Sequence, residues 1–578
     1  MLSFLVLTLA ASGVTAALDC KCSPSDPCWP ASSDWASLNE TLSGHLIRTV
    51  PPAVVCYRNE PEFDQKACQA VLSNWTASAF HAADPASVDD PATANNSCNP
   101  LYSNGTSITG NKHALREGCS LGNYFPYVVN VTELSHVQTA LKFAADRNLR
   151  VNIKNTGHGS IRRIWTHNLK DIKFHEAFHP HACKLNSTGN GTHMAATLGA
   201  GVQDMEMFKA LAKHNAIAVG GTNPDVGVVG WATGGGHGLA TGKYGMGADN
   251  IIEAVVVTPA GKVVTANSCQ NEDLLWAIRG GGSGFGVILR VAVKAYPMSM
   301  LSLVGLELSA KKGASISEWY RFVAEVHKYF AHLQDAGVHG YYTMDGEKLG
   351  VTGSLLIYDT KNETINKLLS PIQRFADSSN VTAPTTFEAA TTVPWFDLVK
   401  TIPAIESVGT SEKTTASRFI PRRAVYEDSS LFAKTLEDIL SPQDPPFGVS
   451  NPSVSGTMTG SRVPVDNALN PAWRDSVMHL IVSQNWDQSV PSAVADKVKH
   501  NMAHQRGAVL RRLAPETGAY FNEASDNEPD WQRSFFGPHY PKLQAIKQKY
   551  DPNGLLYCHQ CVGSELWSEK EDGKLCRA

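Results

Sequence analysis

The chain has 578 residues, a length at which two or more domains of about 100–200 residues each are expected. Hydrophobic residues make up 43% and charged residues 18% of it, a composition that supports large apolar cores and excludes an intrinsically disordered protein. The 50 Lys and Arg residues nearly balance 54 Asp and Glu residues, for a net charge of −4. Since no polybasic run occurs, nucleic acid and anionic membranes are not expected as partners.

Residues 1–17 are predicted to be a secretory signal peptide. A mostly apolar run is followed by small residues up to Ala17, which is the pattern of a signal-peptidase site. No later segment is long and apolar enough for a membrane span. N-glycans are expected at the Asn-x-Ser/Thr acceptors, which are Asn39, Asn74, Asn95, Asn104, Asn130, Asn186, Asn190, Asn362 and Asn380. These signals predict the secretory pathway, with the extracellular space or a vacuole as destination.

Cysteines crowd the start of the mature chain. The chain has 12 cysteines, and those near the N-terminus are Cys20, Cys22, Cys28, Cys56, Cys68, Cys98 and Cys119. In an oxidising compartment they are expected to form disulfides, whose connectivity the sequence leaves open. Cys558 and Cys561 lack a second pair at zinc-finger spacing, so a disulfide is expected there too, and no metal site. Residues 18–117 are therefore interpreted as a Cys-rich extension and not as a catalytic domain.

From about residue 120, the pattern predicts alternating strands and helices. A helix capped by Thr132 is expected to bury Leu134 and Val137 on one face. The further predicted elements are strands at 150–154, 194–198, 251–258, 262–265 and 285–296, and helices at 203–215 and 271–279. Beyond residue 300, alternating segments at 301–308 and 350–358 mix with an amphipathic helix at 316–333, which favours an α+β second domain.

Three glycine clusters fall at the ends of predicted strands, at residues 199–201, 220–238 and 279–286. Backbone without Cβ lets a large ligand approach closely, and successive N–H groups can hold a diphosphate. None of the clusters has the Rossmann spacing within a βαβ unit, and no P-loop lysine follows. The sequence therefore predicts a dinucleotide site of another design.

Several ordered motifs resemble those of the vanillyl-alcohol oxidase and p-cresol methylhydroxylase superfamily. The run Asn-Thr-Gly-His-Gly-Ser at 155–160 is similar to its flavin-attachment segment. Gly-Gly-Gly-His-Gly at 234–238 and the segments 244–250, 275–282 and 550–567 match in order and spacing. The chain looks most like the berberine-bridge-enzyme-like branch, particularly fungal secreted members such as isoamyl alcohol oxidase. The resemblance is close over residues 115–300 and over the C-terminal fifty residues. Between them, only the general pattern of strands and helices is similar.

The resemblance implies FAD as cofactor, bonded covalently through its 8α-methyl group to His158. Such a tether fixes the ring system and makes it a better hydride acceptor. Many relatives have a second tether from a cysteine, but the equivalent run at 223–227 is Asn-Pro-Asp-Val-Gly, so a single covalent bond is expected. The other residues expected to bind the cofactor are Asn155, Gly157, Gly159, Ser160, Gly221, Thr222, Gly227, Gly230, Thr233, Gly234, Gly235, Gly236, Gly238 and Asn522.

Removal of a hydride from an alcohol carbon needs a base that takes the hydroxyl proton. The run Tyr-Phe-Asn-Glu at 520–523 resembles the family's Tyr-x-Asn-Tyr segment, with Glu in place of the second Tyr. Tyr520 is the first candidate for the base or for a hydrogen bond to substrate, and Glu523 is the second. An ordinary core position on a strand would explain Tyr520 equally well.

The expected fold is α+β, with a p-cresol methylhydroxylase-type FAD domain and a substrate domain whose antiparallel sheet is covered by helices. The predicted boundaries are 118–300 for the FAD domain and 301–529 for the substrate domain, with 530–578 returning to the FAD domain. The expected activity is that of an oxidase that acts on an alcohol, sugar or secondary metabolite and passes electrons to O2. A dehydrogenase, an oxidative cyclase and a non-catalytic glycoprotein scaffold remain as alternatives.

Overall fold

The computed structural model describes residues 20–158, 164–184, 192–385, 387, 392–402, 407–570 and 573–578. The predicted signal peptide lies outside these residues, as do Gly159, Ser160, Asn186 and Asn190. Of the acceptor asparagines that are described, none is buried. In the described ranges no helix combines the length and the hydropathy that crossing a bilayer would require.

The first sheet joins the N-terminal extension to the following part of the chain. Among the described residues its strand order is Leu46–Arg48, Tyr127–Asn130, Ile164–Trp165 and Ile153–Lys154. The extension strand pairs antiparallel with Tyr127–Asn130, whereas the remaining neighbours are parallel. The C-terminal tail reaches the same sheet, because Leu556 forms a parallel bridge with Val151.

The helix Leu134–Asp146 differs from the prediction at its first turn. Glu133, not Thr132, precedes the helix, and its side chain makes no capping hydrogen bond. Val137 and Leu141 are fully buried as the periodicity predicts, but Leu134 is 39% exposed. The buried face therefore begins one turn later than predicted.

The second sheet is antiparallel and forms the main core of this half of the molecule. Its order over the described strands is Ile172–Phe178, His193–Gly199, Val287–Pro297, Ile251–Val257 and Val263–Ala266, with Ala216–Ala218 also paired to Val287–Pro297. The strands predicted at 251–258 and 262–265 pair with each other as a hairpin, with Val256 opposite Val264. Helices that accompany this sheet are Asp204–Ala212, Val228–Thr233, Thr241–Tyr244, Gly247–Asn250 and Glu272–Ile278.

The third sheet is the antiparallel sheet expected of the second half. Its described strands run in the order Val393–Pro394, Met300–Ser309, Gly350–Tyr358, His339–Asp345, Ser453–Met458, Ser476–Trp486 and Glu412–Pro421. The helix Ile316–Asp335 starts where the Ser315 side chain accepts a hydrogen bond from the Glu318 backbone N–H, and it buries an apolar face that includes Trp319, Val326 and Phe330 against the core. This spacing is that of an amphipathic helix on a sheet.

Further helices cover the third sheet and build the two ends of the chain. Those of the second half are Asn362–Asp377, Trp395–Val399, Arg422–Tyr426, Ser429–Leu440, Ala472–Asp475, Ser492–Asn501 and Gly507–Leu513, and those of the C-terminal tail are Trp531–Phe536 and Tyr540–Tyr550. Those of the extension are Ser32–Thr41, Gln65–Asn74, Ser78–Ala83 and Ala114–Glu117. The extension is thus folded structure with its own apolar cluster around Trp75.

All 12 cysteines are paired in disulfides. The pairs are Cys20–Cys576, Cys22–Cys28, Cys56–Cys68, Cys98–Cys119, Cys183–Cys269 and Cys558–Cys561. Cys20–Cys576 joins the two ends of the described chain. This pattern fits an oxidising compartment.

Candidate active site

The glycine stretch 220–238 folds so that its two ends touch. A Cβ on Gly238 would lie 1.7 Å from the carbonyl oxygen of Gly220, which no side chain could tolerate. Gly235 and Gly236 have φ values of +129° and +70°, in a region that L side chains rarely adopt. The stretch therefore needs glycine for close backbone contact and for its turns.

The C-terminal segment 519–523 packs directly on this glycine loop. A Cβ on Gly234 would lie 2.6 Å from Asn522 Nδ2, and one on Gly235 would lie 3.3 Å from the Tyr520 ring. The Tyr520 hydroxyl accepts hydrogen bonds from the Gly236 backbone N–H (3.3 Å) and from Asn522 Nδ2 (2.7 Å). The structure thus brings together residues that lie about 285 positions apart.

Tyr520 is 3% exposed and belongs to an aromatic cluster between the glycine loop and the third sheet. Its ring lies 5.4 Å from that of His237 and 5.5 Å from that of Trp473. Burial raises the pKa of Tyr520 well above its ordinary value, and the negative charge of Glu523 adds to the rise. The phenol is therefore neutral at ordinary pH.

Glu523 lies between two imidazoles. Its Oε1 is 2.9 Å from His237 Nε2 and its Oε2 is 3.5 Å from His479 Nδ1. Partial burial would raise the pKa of this carboxyl, but His237 and His479 together bring the pKa well below its usual range. The Glu523 side chain is 32% accessible, although its Oε2 is buried and has no hydrogen-bond partner among the described residues.

The hydrogen-bond partners fix the protons on both imidazoles. His479 Nε2 accepts from the Tyr520 backbone N–H (3.3 Å), so in neutral His479 the proton is on Nδ1, which lies 3.5 Å from Glu523 Oε2 without forming a hydrogen bond to it. Burial lowers the pKa of His479, which favours this neutral form. His237 donates from Nε2 to Glu523, and its Nδ1 lies 3.0 Å from the Tyr341 hydroxyl, which can donate to it.

The imidazole of His158 lies against the N-terminal extension. Its Nε2 is 2.9 Å from Ser78 Oγ, and its Nδ1 is 3.5 Å from Asp89 Oδ2. The adjacent Gly157 leaves no room for a side chain, because a Cβ there would lie 2.0 Å from Asp89 Oδ1. His158 itself keeps 19% of its side chain accessible.

Two buried polar groups border the glycine stretch. Neither amide atom of Asn155 has a hydrogen-bond partner among the described residues, and a Cβ on Gly227 would lie 2.3 Å from its Nδ2. Asp204 accepts from the Gly221 backbone N–H through Oδ2 (2.9 Å), while its Oδ1 is unpartnered within the same part of the chain. Burial, offset only partly by that hydrogen bond, raises the pKa of Asp204 to about 8.

Other residues predicted for the cofactor lie farther from this cluster or face away from it. Thr222 and Gly230 are exposed, and no atom lies within 4 Å of a Cβ built on Gly230. Thr233 directs its hydroxyl to the Val229 carbonyl oxygen of its own helix. Gly159 and Ser160 lie outside the described residues.

Several residues of the site were not predicted from the sequence. For His237, its position within the glycine motif 234–238 could have indicated a role in the site. Ser78 and Asp89 lie in the extension, which was not expected to contribute to a site, and His479 and Tyr341 lie on ordinary strands of the third sheet. Only the folded chain brings these side chains next to Glu523 and His158.

Comparisons with known proteins agree with this architecture. A family model described as FAD binding domain matches residues 125–267, and one described as berberine and berberine like matches residues 519–563. The chain is 30% identical to FAD-linked oxidoreductase ZEB1 of Gibberella zeae, over 100% of this chain and 98% of that protein. It is 33% identical to VAO-type flavoprotein oxidase VAO615 of Thermothelomyces thermophilus, over 100% and 99% of the two chains.

Solved structures show the same fold. The crystal structure of the VAO-type flavoprotein MtVAO615 from Myceliophthora thermophila C1 matches with a TM-score of 0.84 at 30% identity, covering 97% of this chain and 100% of that one. The glucooligosaccharide oxidase of Acremonium strictum matches with a TM-score of 0.61 at 18% identity, covering 76% and 91%. At that identity the second match supports the fold alone.

An α+β molecule with a glycine-rich half and an antiparallel-sheet half, closed by a berberine-like tail, is a two-domain flavoprotein of the vanillyl-alcohol oxidase type. The chain belongs to the FAD-linked oxidoreductases of the vanillyl-alcohol oxidase and p-cresol methylhydroxylase superfamily, in the berberine-bridge-enzyme-like family. Its cofactor is FAD.

The residues present fit this cofactor. The unpartnered Asn155 amide offers a donor and an acceptor that buried polar groups normally satisfy. The glycine loop at 234–236 presents backbone where a side chain would collide with Asn522 or Trp231. These groups can hold polar parts of a large flat ligand between the two halves.

We expect the substitution Asp204→Asn to change how stability depends on pH. The pKa of Asp204 is raised to about 8 from 3.8, so between these values the unfolded chain releases a proton that the folded chain keeps, and stability falls as pH rises. Asparagine can still accept from Gly221 and does not titrate. The melting temperature of the variant relative to wild type should therefore increase from about pH 4 to pH 8.

The matched control is Asp171→Asn, which changes an exposed carboxylate of the same half. Its melting temperature should follow wild type at every pH. A difference between Asp204→Asn and wild type that stays constant over this range would show that Asp204 does not titrate as described.

Proposed function

We propose that the protein is an FAD-dependent oxidase that removes a hydride from the alcohol-type carbon of a small molecule, with O2 as the final acceptor and H2O2 as product. The observation that carries the proposal is Glu523, a carboxylate that lies between His237 of the glycine loop and His479 of the third sheet. The printed name of VAO615 as a flavoprotein oxidase supports the choice of O2 as acceptor.

Bound FAD would supply the hydride acceptor. The chain's own part is to bind the alcohol and take its hydroxyl proton, for which Glu523 is better placed than Tyr520. Glu523 is ionised and 32% accessible, whereas Tyr520 is neutral and 3% exposed, with its hydroxyl already accepting two hydrogen bonds. A positioned carboxylate within reach of the hydroxyl is a suitable general base.

The groups around Glu523 would orient it and adjust to its change of charge. His237 donates from Nε2 to Oε1, and His479 Nδ1 lies 3.5 Å from Oε2, so the carboxylate is held on one side and faced by an imidazole on the other. Tyr341 in turn holds the outer nitrogen of His237. Tyr520 supports the arrangement, because its backbone N–H fixes His479 and its hydroxyl fixes the Gly236 backbone.

We further propose that one covalent bond, at His158, joins the chain to FAD. His158 lies in the segment that resembles the family's attachment site, and its imidazole remains partly accessible. All cysteines are in disulfides, which supports a single tether. The paired cysteines and the surface position of the described acceptor asparagines support a secreted or vacuolar glycoprotein.

The oxidase proposal is tested by substrate-dependent H2O2 release. A panel of primary and secondary alcohols, mono- and oligosaccharides and aromatic carbinols is incubated with the protein in air, and peroxide is measured with a coupled peroxidase. At least one class should give one H2O2 per molecule oxidised. Substrate oxidation that reduces an added dye but yields no peroxide would identify a dehydrogenase, and a colourless protein would favour a binding scaffold.

The substitution His158→Ala should leave FAD releasable by acid. Wild type precipitated with acid should keep its yellow colour in the pellet, whereas the variant should lose it to the supernatant, because the bond to the imidazole is missing. The control is His175→Ala, which removes a half-buried histidine of the second sheet and should keep the colour. Flavin that stays with His158→Ala protein would place the attachment elsewhere.

The substitution Glu523→Gln should lower kcat by about 10²–10⁴-fold on the best substrate of the panel, since it removes the proton acceptor but keeps the shape. The control Glu516→Gln, a surface partner of Arg423, should leave turnover unchanged. Because the pKa of Glu523 is held low, wild-type kcat/KM should persist below the ordinary glutamate pKa of about 4.3. Full turnover in Glu523→Gln, with loss in Tyr520→Phe, would assign the base to Tyr520.

A further inference from the structure

The N-terminal extension supplies two side chains to the imidazole expected to carry the flavin. Ser78 is the first residue of the helix Ser78–Ala83, and Asp89 lies in the loop beyond it. Both are nearly buried, at 3% and 9% exposure. Ser78 Oγ lies 2.9 Å from His158 Nε2 and donates to Asp89 Oδ2 at 2.5 Å.

These contacts determine where the protons lie. A serine hydroxyl has one proton, and the short bond to a carboxylate is of the strong, charge-assisted kind. Since Ser78 gives its proton to Asp89, its oxygen must accept from His158 Nε2–H. The Nε2 proton is therefore directed to the Ser78–Asp89 pair, and Asp89 Oδ2 also lies 3.5 Å from Nδ1.

Surrounding contacts hold this arrangement in place. The Asp89 backbone N–H donates to the Gly157 carbonyl oxygen at 3.1 Å, so the two chain segments are joined next to His158. Lys154 Nζ donates to the carbonyl oxygens of His81 and Asp84, which fixes the extension helix over the attachment segment. Among the described residues, the charged or titratable groups that these contacts place near His158 are Asp89, Lys154 and His81, and burial lowers the pKa of His81 to about 4.

We propose that Ser78 and Asp89 are positioning residues for the covalent attachment of FAD to His158, orienting the imidazole and receiving the proton that it gives up when it is substituted. This inference depends on the proposed bond at His158. Its consequence is that the Cys-rich extension completes the attachment site, although it lies outside the half of the chain that binds the cofactor.

Covalent attachment is an oxidation for which O2 is the oxidant. A bond forms between a ring nitrogen of His158 and the 8α carbon of the flavin, while one C–H bond of that methyl group and the imidazole N–H bond break. The imidazole proton passes to Asp89, directly or through Ser78 Oγ as the Ser78 proton passes to Asp89, since a singly substituted imidazole is neutral only without it. Two electrons pass by way of the flavin to O2, which takes them with two protons, one from the methyl group and one from the imidazole, to give H2O2.

The test compares wild type with Ser78→Ala, Asp89→Asn and Ser78→Thr. Each protein, prepared without flavin, is mixed with FAD in air, and the acid-stable fraction is followed by absorbance and intact mass. Ser78→Ala and Asp89→Asn should bind FAD but attach it about 100-fold more slowly, the effect of losing one positioned proton acceptor. Ser78→Thr keeps the hydroxyl and should attach at a rate near wild type.

The dependence of attachment on pH separates positioning from mere structural support. In Asp89→Asn the departing proton must go to solvent base, so the attachment rate should rise steeply between roughly pH 6 and 9, whereas the wild-type rate should stay nearly flat because a carboxylate is already ionised there. His81 and Lys154 are unchanged in this comparison. The control Glu62→Gln removes an exposed carboxylate of the extension and should behave as wild type.

The outcomes distinguish this inference from the proposed function. Wild-type rates and a flat pH profile in both Ser78→Ala and Asp89→Asn would overturn the role of these residues while leaving the bond at His158 intact. Equally slow attachment in Ser78→Thr and Ser78→Ala would show that packing matters and not the hydroxyl. A wild-type protein that never acquires acid-stable flavin would overturn the proposed bond and this inference together.

Discussion

The arrangement of the candidate active site depends on one carboxylate shared by two imidazoles. Glu523 comes from the C-terminal segment, His237 from the glycine loop and His479 from the third sheet. The three side chains therefore connect the C-terminal segment, the glycine loop and the third sheet at the candidate site. Each contact is local, but together they fix the distance between the glycine loop and the sheet that covers it. An apolar contact could fill this space without defining the orientation of the groups.

The sequence was sufficient for the architecture and for part of the site. The segment 350–358 was predicted as a strand from its alternating side chains, and the observed strand has the same bounds. Successive side chains of a strand point to opposite faces of the sheet, which is the basis of this pattern. The glycine loop and the 520–523 run could be placed in one site only by resemblance, since no local rule links residues so far apart. The roles of His479 and Tyr341 were not predictable. The position of a residue along a strand indicates the face of the sheet on which its side chain lies, but not the side chains that it contacts.

The extension shows a different limit of sequence reasoning. Its cysteines predicted a disulfide-bonded extension without a catalytic role, and the structure shows that it contains helices and donates an edge strand to the first sheet. Tertiary contacts, such as that of the Trp75 indole N–H with the Gly409 carbonyl oxygen, organise segments whose own helical periodicity is weak. For the helix after Thr132, the apolar periodicity correctly predicted a helix, and only the position of its first turn was wrong.

The bond between Cys20 and Cys576 closes a covalent ring over almost the whole described polypeptide. The two cysteines are 556 positions apart in the sequence, so Cys20 is translated long before its partner. This disulfide can therefore form only after Cys576 has been synthesised, and a chain that stops short of Cys576 would retain an unpaired thiol at Cys20. Its formation requires that the C-terminal segment has folded next to the N-terminal extension.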